Sequence, residues 1–262
     1  MEQQIREIAR KYLPERIRRP LGTLIGRFHQ EVIRGLMGAA FDLGGGRFRV
    51  DGCTLSIPKD LTTRSYRACF FDGSYEAEER GLIRKWVRAE DRVIELGACL
   101  GIVSCVTNRL LADKSKHLVI EANPFCIPSI YRNKELNNAG FLVEHCAVDT
   151  RPEVTFYLHP LYVVGGTSQR KSNRPCRVPA KSLEQLEREH GPFDVLIIDI
   201  EGSELDVFQC SKKALNTYRL VIAELHEFAI GADGVEQCRE LLRTAGLTQV
   251  DRSGITEVWK RN

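Results

Sequence analysis

A doubly wound α/β fold built on a seven-stranded, mostly parallel sheet is predicted by three observations. From residue 92 onwards, short apolar runs alternate with amphipathic segments, the pattern of strands joined by crossover helices. The runs Leu118-Val119-Ile120 and Val195-Leu196-Ile197-Ile198 carry no polar residue, as strands covered on both faces require. Four runs reach an acid at their carboxyl ends, Glu95, Glu121, Asp199 and Glu224, and ligands of open parallel sheets sit just outside those ends. A chain of 262 residues, 43% hydrophobic and 28% charged, accommodates one large domain of this kind with a short appendage.

In chain order, residues 1–45 read as a basic helical extension interrupted at Pro14 and Pro20. Residues 46–74 form a lead-in with a small β-hairpin. There Phe48-Arg49-Val50 and Thr54-Leu55-Ser56-Ile57 flank Asp51-Gly52, a pair suited to positive φ. The main domain, 75–262, opens with a helix over 75–88. Strands are expected at 92–96, 117–121, 142–147, 194–199, 219–225, 246–250 and 255–260. Helices are expected at 101–113, 125–138, 181–189, 203–216 and 232–245. Only Asp251-Arg252-Ser253-Gly254 joins the last two strands. So short a link forbids a helical crossover and makes that pair a C-terminal antiparallel hairpin. Residues 150–180 break the rhythm and read as a strand plus a loop, either a substrate lid or a plain surface connection.

The turn Glu95-Leu96-Gly97-Ala98-Cys99-Leu100-Gly101 carries the cofactor reading. Glycine there lets the backbone approach a ligand or take φ > 0 without a Cβ clash. Glu121 ends the next run, twenty residues beyond Gly101, where an acid suits the two hydroxyls of a ribose. Glu95 and Glu121 are therefore expected to hold an adenosine-type cofactor between them. Cys99 stands where a dinucleotide site has the glycine that admits a pyrophosphate. S-adenosylmethionine has no pyrophosphate and tolerates the change. A nicotinamide-dependent oxidoreductase and a non-catalytic cofactor-binding or interaction module remain the alternatives.

At these residues the chain resembles the FkbM-type methyltransferases. Tyr75-Glu76, the Glu95–Gly101 turn, Glu121-Ala122-Asn123-Pro124, Ala147-Val148, Asp199-Ile200-Glu201-Gly202-Ser203-Glu204 and Glu224-Leu225-His226 fall in that family's order over residues 70–248. The resemblance implies a class I, Rossmann-like domain with S-adenosylmethionine as donor. It also implies O-methylation of a hydroxyl on a sugar, glycoconjugate or natural product. The family often has Asn where Cys99 stands, and Lys where this chain has Ile197.

Residue by residue, Glu95 is expected to accept from the cofactor's amino group or to orient the turn. Gly97, Ala98 and Gly101 let its chain pass. Glu121 takes the ribose, Asn123 neighbours the adenine, Ala147 lies against its ring, and Cys146 and Val148 are core. Tyr75 and Glu76 close over the methionine end, although a helix N-terminal acid is the plainer reading of Glu76. His226 is the expected general base, His159 a lesser one, and Asp199, also expected to contact the cofactor, completes the catalytic set with Glu201. Asp199, Glu201 and Glu224 also offer oxygen ligands to Mg²⁺, but acids at a helix start are favourable without a metal, and no metal site is assigned.

Residues 1–34 carry +4, leaving −1 of the chain's +3 for the rest. The body thus has no bulk electrostatic footprint for nucleic acid. The basic segment suits core packing, a homodimer contact or peripheral attachment to an anionic membrane. No apolar run reaches the length of a membrane span, and nine scattered cysteines without a CxxC pair suit reduced thiols in a cytoplasmic protein.

Overall fold

The computed structural model describes residues 30–158, 166–167 and 174–262. The helical reading of residues 1–29, together with His159 and most of the 159–173 loop, lies outside the described residues. The described chain opens in helix α1 (30–43). The hairpin β1 (Arg47–Val50) and β2 (Cys53–Ser56) follows, then α2 (Ala68–Phe71) and α3 (Ala77–Trp86). The βα alternation runs β3 (Val93–Leu96), α4 (Ile102–Leu110), β4 (His117–Glu121), α5 (Ile127–Leu136) and β5 (Leu142–His145). Short strands β6 (Ala147–Val148), β7 (Glu153–Leu158), β8 (Gly166–Thr167) and β9 (Pro175–Lys181) interrupt it. It resumes with α6 (Leu183–His190), β10 (Val195–Ile198), α7 (Glu204–Cys210), α8 (Lys212–Leu215), β11 (Leu220–Glu224) and α9 (Glu227–Thr244). Strands β12 (Leu247–Ser253) and β13 (Thr256–Arg261) close the described chain.

The main sheet has seven strands in the order β12-β13-β11-β10-β3-β4-β5. The five strands from β11 to β5 run parallel, and β13 pairs antiparallel with both β11 and β12. This is the predicted doubly wound sheet with its terminal hairpin. Residues of β3, β4, β10 and β11 are almost all buried because helices cover both faces. The order reverses between β3 and β10, so the crevice for a ligand opens where those two strands end.

Three features differ from the sequence reading. The strand expected over 142–147 ends at His145, and Ala147-Val148 pairs instead with β9. The segment 150–180, read as a strand and a loop, contributes β7, β8 and nearly all of β9 to a separate sheet ordered β6-β9-β7-β8. Val154, Phe156, Leu158, Val178 and Ala180 bury its inner face against Ala122 and Ala147. Alternation at period 2 is visible in Val154 and Phe156, but the antiparallel register with β9 depends on residues 18 to 26 positions away. Helix α9 also starts earlier than expected, with a first turn from Glu227 broken at Gly231, where φ is 72°.

Candidate active site

The crevice exists because glycine stands at its hinge. Gly97 follows β3 with φ of 91°, and a Cβ there would lie 1.6 Å from the Asp199 carbonyl oxygen at the end of β10. The Gly97 N–H donates to the Ile120 carbonyl at 2.9 Å and the Asp199 N–H to the Leu96 carbonyl at 3.0 Å. The ends of β4, β3 and β10 are thereby laced together under a cavity of about 490 Å³, within the range of small-ligand sites. Tyr75, Glu76, Gly97, Glu121, Asn123, Ala147 and Asp199 line it. Cys146 and Val148, read as core, also line it.

At one end Glu121 is 7% exposed. One carboxylate oxygen accepts from the Cys99 N–H at 2.7 Å and the other from the Asn123 N–H at 2.6 Å. A carboxylate has about four lone-pair sites, so two remain for a donor pair such as a ribose diol. Beside it Ala147, Val148, Val154 and Phe156 form an apolar wall suited to a purine face. This end therefore fits a nucleoside on its own chemistry.

Burial pushes the Glu121 carboxyl up to about 7, against the Asn123 and Cys99 backbone donors that pull it down and with the Glu95 charge adding to the rise. The ionised form is the better acceptor for a diol. Affinity for S-adenosylhomocysteine is expected to rise about tenfold from pH 6 to pH 8, and calorimetric titration at both values checks it. Without ligand the sign is opposite. The unfolded chain ionises this group from near its ordinary 4.5, so stability falls as pH rises from there through about 7.

Glu95 requires a correction. It does not line the cavity and is 1% exposed. Its two oxygens are taken by Ser104 Oγ at 2.5 Å and His117 Nε2 at 3.1 Å. The reason is strand parity: Leu96 lines the cavity, so Glu95 faces the other side of the sheet. There it ties β3 to the first turns of α4, which keeps the alternative role of orienting the turn. Glu95→Ala is expected to cost about 3 kcal/mol through the buried partners left behind, roughly 6–12 °C in Tm. Affinity for S-adenosylhomocysteine should stay near wild type in the folded variant. Differential scanning fluorimetry and calorimetry separate the two effects.

Ala98 and Gly101 are likewise absent from the lining. Ala98 packs in the core on the α4 side. Gly101 caps α4 with φ of 74°, and a Cβ there would come within 3.2 Å of the Ile130 Cα. Its glycine therefore serves helix packing.

The other end of the cavity is acidic. Glu76 is the N-cap residue of α3 but makes no side-chain cap bond. Its carboxylate instead faces the cavity beside Tyr75, whose hydroxyl donates to the Cys99 sulfur at 3.8 Å. Burial drives Glu76 up to about 8, with the Tyr75 hydrogen bond opposing and the Glu224 charge reinforcing. Asp199 is raised too, first by burial and then by Glu224 and Glu79.

His226, expected to face the acceptor, is 4% exposed and does not line the cavity. Its Nδ1 is hydrogen-bonded to Glu204 Oε1 at 2.8 Å. Its Nε2 stands 3.6 Å from Asp199 Oδ1 and 3.9 Å from Glu201 Oε2. Burial alone would lower its pKa, but Glu204, Glu201 and Glu224 outweigh that and leave it raised. It backs the two carboxylates that do line the cavity.

Sequence reasoning missed Glu79, one helical turn beyond Glu76 and therefore on the same face of α3. It is 4% exposed and lines the cavity. It also missed the cluster of strain. Glu76, Cys99 and Glu201 have φ of 47°, 50° and 55° and all line the cavity. A left-handed non-glycine residue costs roughly 1–3 kcal/mol and concentrates at functional sites. Asn tolerates this conformation better than most residues, which gives a reason for its frequent occurrence where Cys99 stands here. Ile197, at the family's lysine position, is buried within β10 and offers no charge.

A parallel sheet with a nucleoside-fitting crevice at its switch point and carboxylates beside it defines a class I nucleoside-cofactor fold. The family described as the methyltransferase FkbM domain matches residues 95–247, more than half of the chain, and the protein belongs to that family. It is an S-adenosylmethionine-dependent methyltransferase, which removes the oxidoreductase alternative. No curated protein matches the sequence. Among solved structures, it is similar to a precorrin-6y C5,15-methyltransferase from Geobacter metallireducens GS-15. Identity there is 10%, coverage 79% of this chain and 94% of that one, and the TM-score 0.45. It is also similar to Aeropyrum pernix fibrillarin in complex with natively bound S-adenosyl-L-methionine, at 10% identity, 69% and 73% coverage and a TM-score of 0.44. A ribosomal protein L11 methylase from Lactobacillus delbrueckii subsp. bulgaricus gives 14%, 70% and 77%, and 0.42. Among the described residues no helix is long and apolar enough to cross a membrane.

Proposed function

We infer that the protein transfers the methyl group of S-adenosylmethionine to a hydroxyl of a small-molecule or glycoconjugate acceptor. One observation carries this reading: Asp199 and Glu201 line the cavity as a carboxylate pair backed by His226. S-adenosylmethionine supplies an already activated methyl carbon, so alignment provides much of the rate. A hydroxyl must still lose its proton as it attacks. Glu201 accepts that proton in this reading, and the imidazole held by Glu204 shares the resulting charge from behind. His226 is thus a positioning residue. Acids dominate the cavity, and Arg34 is the one basic residue among the described residues lining it. That balance disfavours a polyanionic acceptor such as nucleic acid.

The test is a screen of hydroxylated acceptors with mass-spectrometric location of the methyl group, followed by the kinetics of Glu201→Gln. The reading expects an O-methyl product and a kcat lowered about 10²–10⁴-fold with little change in KM for the cofactor. Methylation solely at nitrogen or carbon, or an undiminished kcat, would contradict it.

A further inference from the structure

The acidic end of the cavity contains more carboxylate than a proton acceptor requires. Glu76, Glu79 and Asp199 bring one ligand atom each within 4.8 Å of one another, and Asp199 does the same with Glu224 and His226. Asp199 is common to both groups. Asp199 thus joins the acids at the start of α3 to those at the ends of β10 and β11.

Glu79 and one oxygen of Asp199 lack the partners that buried acids normally have. Glu79 is 4% exposed, faces the cavity and makes no hydrogen bond or ion pair among the described residues. Asp199 Oδ1 has no hydrogen-bond partner, the His226 nitrogen standing off at 3.6 Å. Arg80, next to Glu79 in the sequence, is committed elsewhere. It bonds the Tyr75 and Gly73 carbonyls and the Asp51 carboxylate.

A third acidic group in the protein shows what a filled cluster looks like. Glu144 and Glu189, beside His190, receive the Lys181 ammonium at 2.7 and 2.5 Å. Among the described residues no lysine or arginine plays that part around Asp199. Carboxylates and one imidazole, with room for water and an acceptor oxygen, suit a divalent first-row cation.

We propose that the cluster around Asp199 is a binding site for a divalent cation of the Mn²⁺ type, held by Glu79 and Asp199 with Glu76, Glu224 and His226 around it. Such an ion would draw down the pKa of a hydroxyl bound beside it, leaving Glu201 to take the proton. That catalytic role rests on the O-methylation reading, whereas binding of the ion does not.

The experiment uses the full chain after treatment with a chelator, with Mn²⁺ alone as the probe, followed by electron paramagnetic resonance of the free ion. One saturable site is expected. Glu79→Gln and Asp199→Asn should each weaken it tenfold or more, and Glu144→Gln should leave it unchanged. Crystals of the unmutated protein soaked in Mn²⁺ should give an anomalous peak beside Asp199, which keeps the test valid if a variant fails to fold. Absence of saturable binding, a peak elsewhere, or equal affinity in both folded variants would overturn the proposal. Titration of the same samples with S-adenosylhomocysteine reports separately on the cofactor, so a failure of one reading is not mistaken for a failure of the other.

Discussion

Gly97→Ala is expected to abolish measurable binding of S-adenosylhomocysteine and to lower Tm by about 10 °C or more. The added Cβ would fall 1.6 Å from the Asp199 carbonyl oxygen. That atom belongs to the backbone at the end of a central strand and has no flexible end to swing aside. The φ of 91° is a second cost, since it lies where side chains are rarely accommodated. A clash that forces strands apart at a buried sheet end belongs to the exceptional class of substitutions, above about 4 kcal/mol. For a chain of this size each kcal/mol shifts Tm by roughly 2–4 °C. Thermal melts and calorimetry check both parts. A variant that melts normally and binds normally would mean that β3 and β10 do not meet as described.

Glu121→Ala is the second large effect, and its signature is different. The carboxylate holds the Cys99 and Asn123 N–H groups and keeps two lone-pair sites for the ligand. Hydrogen bonds to a charged group are worth about 1.5–3 kcal/mol each. Loss of two of them predicts a fall of at least about 100-fold in affinity for S-adenosylhomocysteine. Glu121→Gln retains an acceptor for the loop and should lose less. The part of the pH dependence that Glu121 supplies, centred near 7, should be lost in both variants, while Glu76 still titrates near 8.

These two residues were legible in the sequence for reasons that hold locally. An acid that ends an apolar run stands at the strand's carboxyl end, where the crevice must be, and a glycine directly after a buried strand marks a close approach. The central strands were legible because burial on both faces removes every polar residue from the run, as in Val195 to Ile198. Glu95 was misplaced because an acid near a strand end reads alike whether it points into the crevice or away. The neighbouring Leu96 fixes the parity, but only once one residue of the pair is known to face the ligand.

His226 was singled out in the sequence, but its depth was not legible there, because depth depends on how α9 and the Asp199–Glu204 turn pack. Glu79 escaped notice because its approach to Asp199 is set by how α3 lies across the sheet, which no local pattern encodes. The small sheet of β6 to β9 was missed for a related reason. Its strands are short, and their pairing joins segments that are far apart in the chain.

The central claim is that a nucleoside sits at the β3–β10 switch point with its ribose on Glu121. The most direct measurement is a crystal structure of the protein with S-adenosylhomocysteine. It should place both ribose hydroxyls within hydrogen-bonding distance of the Glu121 carboxylate, with the thioether chain passing over Gly97. A nucleoside bound outside this crevice, or one whose ribose makes no contact with Glu121, would contradict the account.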